Sequence, residues 1–400
     1  MLVITNAKIV TPSEIVEGSV VIENGRIAEI TEENVKGDNV INAEGKYLLP
    51  GLIDIHGDDL EREISPRPSA SFPIDFALIN LDRKTAACGI TTKLHAIAYF
   101  EDELKGRHPA KSKEILRTLN RLKDKLLVNN YIHARCEISS DISNVLQVIG
   151  DPSVKLVSVM DHTPGQGQFR SIEDYKAYHK RVYGLKDHEI EEILNRKMKH
   201  DKVANLKKVL DRAHRCGLPV ASHDDDTIEK VEFFHSLGVK ISEFPVTLEA
   251  AKRAKELGMF VSMGAPNVVR GKSSTGNLSA IDAIKHESVD VLCSDYSPES
   301  MLYAPFILER RKLMSLNEAV NLVSLNPARA IGIDNEVGSI EVGKRADLII
   351  VDLIDGIPVV EKTIVSGKVV YSLGVTSSPC YRGGWGVCRD VHRTAFRTLL

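Results

Sequence analysis

No run of about 18 consecutive apolar residues occurs in this 400-residue chain, so a membrane-spanning helix is not expected. The opening, MLVITNAKIVTPSE, lacks the basic segment and following apolar stretch of a secretory leader. Cysteine is sparse: six residues, at 88, 136, 216, 293, 380 and 388, show neither zinc-finger nor disulfide-framework spacing. That usage suits a reducing compartment, and a cytoplasmic protein is the expectation. An excess of one sign of charge is missing too. Lys and Arg total 52 against 55 Asp and Glu, a formal net charge of -3. Neither a basic stripe for nucleic acid nor a polybasic membrane patch follows from that balance, so neither partner is expected. Self-association as a homo-oligomer stays open.

What is present is apolar material: 43% of residues are hydrophobic and 27% charged, the profile of a soluble globule with a sizeable core. The length exceeds the roughly 250–300 residues that one core supports, so a large domain with a smaller companion is expected. The first fifty residues alternate as strands do, in LVITNAKIV, EGSVVIENGRIAEI and NVINAEGKYLLPG, with Asn24 and Gly25 as a tight hairpin turn. Near the other end, VGSIEVGKRADLIIVDL and VVEKTIVSGKVVYS repeat the pattern. The economical reading is a small β-sandwich domain assembled from residues 1–50 and 335–376. Residues 377–400, which include Cys380 and Cys388, form a tail without assignment.

Between these pieces, 51–334 alternates strands with helices. Strand candidates fall at 52–56, 90–96, 130–138, 155–161, 219–223, 239–244, 259–264 and 289–294, with helical patterns between them, as at 75–88, 111–125, 248–257 and 277–285. Eight such repeats match a (β/α)8 TIM-like barrel of the α/β class. A doubly wound sheet fits less well, because no glycine-rich phosphate turn follows the first strand. The charged stretch 171–216 is too long for one crossover and reads as an insertion of two or three helices.

In such barrels functional side chains gather at the C-terminal strand ends. Here the first strand ends in IDIHGDDLE, the third in IHARCE, the fourth in VMDHTPG, the fifth in ASHDDD and the eighth in CSDYSP. One such His or Asp is commonly a structural residue. Five strand ends together, bearing ligand types that borderline divalent metals prefer, point to a metal centre. His56, Asp58, Glu137, His162, His223 and Asp295 make a set of six. One open catalytic zinc keeps about three protein ligands, so six suit a pair of ions about 3.5–4 Å apart sharing a hydroxide. Zinc is the first candidate, and manganese, iron and cobalt are served by the same ligands. Taken singly, Asp295 reads as a helix N-cap. Asp224, Asp225 and Asp226 read so more readily, because a Thr-Ile-Glu helix start follows them.

The split β-domain, PGLIDIH opening the barrel, GITT in the second strand and the closing GSIEVGKRADLIIVD resemble the amidohydrolase superfamily of metal hydrolases. HGDDLE with PRP after it, HARCE, MDHTPGQGQF, ASHDDDT, EFPVTLEAA, MGAPNVVRGKSSTGN and SDYSPESML are similar to its phosphonate-metabolism branch. The resemblance runs over residues 1–372. It implies a metal-dependent diphosphatase of the carbon–phosphorus lyase pathway, cleaving α-D-ribose 1-methylphosphonate 5-triphosphate to the 5-phosphate and diphosphate. Glu137 would then bridge the ions and Asp295 would act as catalytic base. The His56-x-Asp58 pair departs from the superfamily's His-x-His and agrees with the branch. Gly57 and Asp59 stand where the branch more often has Thr and Asn, and no lysine is placed as a carboxylated bridging ligand.

A sugar triphosphate requires fixed cations and hydrogen-bond donors. Lys93, Arg135, Arg270 and Lys272 are the candidate substrate-binding cations; Gln166, Gln168, Asn267 and Ser273 are candidate neutral donors, and Arg67 follows the metal motif. The glycine-bearing clusters at 165–170 and 267–274 are the favoured cradles, since glycine lets backbone N–H groups approach phosphate closely. One rival is an enzyme of the same superfamily that cleaves a C–N bond, such as a deacetylase or cyclic amidase. The positive 267–274 loop and the His-x-Asp pair argue against it. The other is a scaffold without metals, which the full ligand set opposes.

Overall fold

The computed structural model describes residues 1–33, 35–67, 70–102, 104, 107–167, 169, 171–273 and 276–373. Gln168, Arg170 and the tail with Cys380 and Cys388 lie outside them. The alternating N-terminal runs form β1 (Leu2–Val10), β2 (Ile15–Glu23), β3 (Arg26–Thr31), β4 (Val40–Asn42) and β5 (Tyr47–Pro50). Asn24 and Gly25, both at positive φ (50° and 77°), make the β2–β3 hairpin turn, whose twist requires left-handed residues.

Eight parallel strands follow: β6 (Leu52–Gly57), β7 (Ile90–Ala98), β8 (Asn129–Glu137), β9 (Val154–Met160), β10 (Val220–His223), β11 (Ile241–Glu243), β12 (Phe260–Gly264) and β13 (Val291–Cys293). Each neighbours the next in chain order, as a (β/α)8 barrel demands. Ile53, Ile55, Leu94, Leu156, Ala221 and Ile241 fill the lumen without exposure, each large side chain contributing about 1.5–3 kcal/mol of burial. The chain then returns to the first sheet as β14 (Leu348–Ile354), β15 (Ile357–Val365) and β16 (Lys368–Ser372). The order there is β16-β15-β14-β5-β1-β2-β3, with β4 on β1. The sandwich expected from the sequence is therefore one sheet folded over its own core of Ile4, Ile9, Val20, Ile27, Leu48 and Ile364. The Ala346 N–H, just before β14, donates to Gly25 O at 2.8 Å and draws the far strands together.

Three helices lie between β9 and β10: Ile172–Tyr183, Asp187–Met198 and Lys202–Arg215. The third buries Leu206, Val209, Leu210 and Ala213 in the barrel's helix layer, as a regular crossover helix does. The first two carry a separate small cluster of Phe169, Tyr175 and Ile190, so they are the true addition.

The barrel closes at a narrow seam. Pairing between β6 and the chain after β13 is a single bridge of Gly57 with Asp295. There Asp58 N–H donates to Asp295 O at 2.6 Å and Asp295 N–H to His56 O at 2.9 Å. Asp54 stitches the two sides from below: its carboxylate accepts from His56 N (3.2 Å), Ser294 N (3.0 Å) and Ser294 Oγ (2.6 Å). Lys93 completes this layer. Its ammonium is fully buried, 2.6 Å from Asp59 Oδ2 and 3.3 Å from Asp54 Oδ2. Lys93 was expected to face substrate; the structure corrects that, because two carboxylates hold it beneath the mouth. The same arrangement explains Gly57, where a Cβ would lie 2.8 Å from Lys93 Cε and 2.9 Å from Nζ. Neither atom can retreat from its ion pairs. Gly57→Ala is accordingly expected to cost about 1–3 kcal/mol, read as a lowered denaturation midpoint, although alanine suits a strand better than glycine.

Candidate metal centre

At the mouth, three strands use one device to present a side chain. The residues after His223, Glu243 and Ser294 are Asp224, Phe244 and Asp295, all at φ of 52–54°. Each donates its N–H to the neighbouring strand: Asp224 to Glu243 O, Phe244 to Ser262 O and Asp295 to His56 O, all at 2.9 Å. Pairing thus runs one residue beyond β10 and β11 and two beyond β13, and the left-handed turn then sends the chain outward. Aspartate tolerates that conformation; phenylalanine pays roughly 1–3 kcal/mol of strain for it. The Phe244 ring packs against His56 (centroids 5.0 Å) and His223 (5.5 Å) and fixes both imidazoles.

Two groups of potential ligands result, His56 with His133 and Glu243, and His162 with His223 and Asp224, the ligand atoms of each lying within 4.8 Å of one another. They adjoin: the His56 and His223 rings are 6.2 Å apart and those of His162 and His223 5.7 Å. His133 Nδ1 donates to Ile55 O at 3.1 Å, which leaves a bare Nε2 lone pair. His162 Nδ1 donates to Glu137 Oε2 at 2.6 Å, which likewise turns Nε2 into an acceptor. Such outer hydrogen bonds are how metal-binding histidines are held in one tautomer. His133 Nε2 and Glu243 Oε2 are buried without hydrogen-bond partners, and His223 Nδ1 is buried 3.2 Å from Asp224 Oδ2. Orphaned imidazole and carboxylate atoms converging at a barrel mouth fit a divalent cation.

Of the six expected ligands, His56, His162 and His223 enter these groups. Asp58 lies 3.5 Å from His56 Nε2 and accepts from Arg135 Nη1 at 3.0 and 3.3 Å. Glu137 accepts from the His162 ring, the Ser139 hydroxyl and the His162 backbone N–H, so it orients His162. Asp295 stands at the seam. His133 and Glu243 escaped the strand-end reading. Glu243 ends the sixth strand and yields to the same test, whereas His133 lies mid-strand and shows only as sharing the face of Arg135 and Glu137. The N-cap reading of the Asp224–Asp226 run is corrected. Thr227 caps the next helix, accepting from Lys230 N, while Asp225 binds the Ser222 and Ser242 hydroxyls at 2.6 Å. Asp295 caps nothing either, since Glu299 takes that place before helix Ser300–Arg310.

The substrate candidates divide. Arg135 is buried on Asp58, and Gln166 donates to the Asp161 carboxylate. Gly165 N–H donates to Phe169 O and Gly167 N–H to Asp226, so these described donors of the 165–170 cluster are engaged internally. Asn267 is half-buried in helix Ala265–Arg270, Arg270 is exposed and donates to Tyr296 Oη at 3.3 Å, Lys272 is exposed and Ser273 half-buried.

Charge alternates through the site. Burial would raise Glu137, Asp224 and Glu243, but neighbouring Lys197 and histidines hold each at about 2. Burial would lower His56, yet Glu243 and Asp58 lift it to about 10. His133 is driven by burial to about 3 and is neutral. Burial, with Asp58 close by, lifts Asp295 to about 6, the range in which a carboxylate serves as a general base. Glu243→Gln should weaken the hold on a divalent ion: metal content per chain is expected to fall below that of wild type, since an open site needs about three protein ligands. Unchanged content would show that Glu243 holds no ion.

A profile described as "Amidohydrolase family" matches residues 175–370. The chain is 34% identical over 358 residues to the alpha-D-ribose 1-methylphosphonate 5-triphosphate diphosphatase of Escherichia coli strain K12, covering 87% of this chain and 94% of that protein. It is 24% identical to the imidazolonepropionase of Thermoplasma volcanium, over 88% of this chain and 90% of the relative. Among solved structures, dihydropyrimidinase from Brevibacillus agri NCHU1002 superposes with a TM-score of 0.63 at 16% identity, over 93% and 95% of the two chains, a likeness of fold. Barrel, folded terminal sheet and near-complete coverage of a relative above 30% identity agree: this chain belongs to the amidohydrolase family.

Proposed function

We propose that the chain is a metal-dependent diphosphatase cleaving α-D-ribose 1-methylphosphonate 5-triphosphate to α-D-ribose 1-methylphosphonate 5-phosphate and diphosphate. The 34% identity over 94% of the Escherichia coli enzyme of that name carries the reading. His56, His133 and Glu243, and His162, His223 and Asp224, would hold two divalent ions, zinc first by ligand type. When bound, such ions lower the pKa of water and polarise a phosphoryl oxygen.

The chain's own residues do the rest. Asp295 accepts the proton of the attacking water. Arg135 pins Asp58, and Glu137 keeps the His162 tautomer. Arg270, exposed on the β12 side with Lys272 near it in sequence, meets the charge that develops on the departing diphosphate. The free thiols of Cys88, Cys136, Cys216 and Cys293 support a cytoplasmic setting, and among the described residues no helix is long and apolar enough to cross a membrane.

Phosphorus NMR of the metal-loaded enzyme with the ribose triphosphate is expected to show diphosphate in one step. Successive release of orthophosphate, or turnover of hydantoins instead, would overturn the reading. Asp295→Asn keeps shape and removes the base, so kcat should fall about 10²–10⁴-fold at unchanged metal content. Retained activity would assign the proton to another group.

A further inference from the structure

A cavity of about 350 Å³ opens beside the candidate metal centre, with Glu137 and His162 in its wall. That size lies within the range of small-ligand pockets. Barrel loops supply one side, through Phe100, Asp102, Arg107 and Asp141; the two added helices supply the other. Their contribution has two parts. One is aromatic: Tyr175 stacks on His179 at 4.0 Å, Phe169 meets Tyr175 edge-on at 5.0 Å, and Tyr178 and Tyr183 continue the wall. The other is cationic: Arg196 and Lys197 line the same space. Lys197 Nζ lies 3.9 Å from Glu137 Oε2, so this basic edge reaches the centre itself.

The lining is mixed in a way that selects between the two ends of the proposed substrate. Glu101, Asp102 and Asp141 share the cavity with the cations. Three consecutive phosphates would meet those carboxylates at a cost. A sugar would use them as acceptors for its hydroxyls, lay its ring on the aromatic wall and place one anionic group among the cations. The exposed cation Arg270 lies across the mouth, after β12, away from this cavity.

Resting on the function proposed above, we infer that this cavity is the subsite for the ribosyl 1-phosphonate end of the substrate, and that the inserted helices, through Arg196 and Tyr178, set specificity for it. The triphosphate then runs from the centre toward Arg270, and diphosphate leaves on that side.

Calorimetric binding of the product, α-D-ribose 1-methylphosphonate 5-phosphate, and of inorganic diphosphate to metal-loaded wild type, Arg196→Ala, Tyr178→Leu and Arg270→Ala tests this. Arg196→Ala and Tyr178→Leu should weaken product binding about ten- to a hundredfold and leave diphosphate binding unchanged, whereas Arg270→Ala should weaken diphosphate binding and spare product binding, all three at unchanged metal content. In turnover the first two should raise KM more than they lower kcat. Equal product affinity in wild type and the two cavity variants would overturn the inference, as would a larger loss of diphosphate binding in Arg196→Ala. Wild-type turnover, followed separately, distinguishes the failures: turnover with insensitive variants refutes the subsite alone, and absent turnover refutes the function.

Discussion

The closing seam of the barrel is the constraint on which the rest depends. Seven strand junctions are parallel ladders, two of them with register shifts, but the eighth is one bridge at Gly57 and Asp295, beside His56 and Asp58. So short a junction would fray if the Asp54 carboxylate did not gather donors from both sides. Burying that carboxylate requires a counter-charge, and Lys93 supplies it, with Asp59 as its second partner. Lys93 thus constrains positions 57 and 59 together. The ammonium occupies the space of a Cβ at 57, and the carboxylate at 59 compensates its charge.

Above this layer, most buried charges have an opposite partner, His56 with Glu243, Asp58 with Arg135, Glu137 with Lys197. A buried charge is tolerable only when paired and hydrogen-bonded. Among the buried atoms left without a partner are His133 Nε2 and Glu243 Oε2, each costing about 1–3 kcal/mol. Both belong to one group of potential ligands, where a bound cation would recover that cost.

The molecule separates its tasks by element. Strand ends and their left-handed turns, braced by the seam, hold the chemistry rigidly. The two added helices carry their own small core and stand beside it, so substrate selection can vary without disturbing the ligands.

The order of elements was legible in the sequence, because strand alternation and helical period are local consequences of which face is buried. The residues at strand ends were legible for the same reason: His56, His162 and His223 follow directly from where each strand stops. Partners were not. Whether Lys93 faces substrate or Asp54, whether Asp224 caps a helix or joins His162 and His223, and whether His133 is a core or a mouth residue depend on groups tens to hundreds of residues away. Local composition sets what a side chain can bond to. Only closure of the barrel decided what stood within reach, since charge pairing in a buried site acts over a few ångströms in space and ignores distance along the chain.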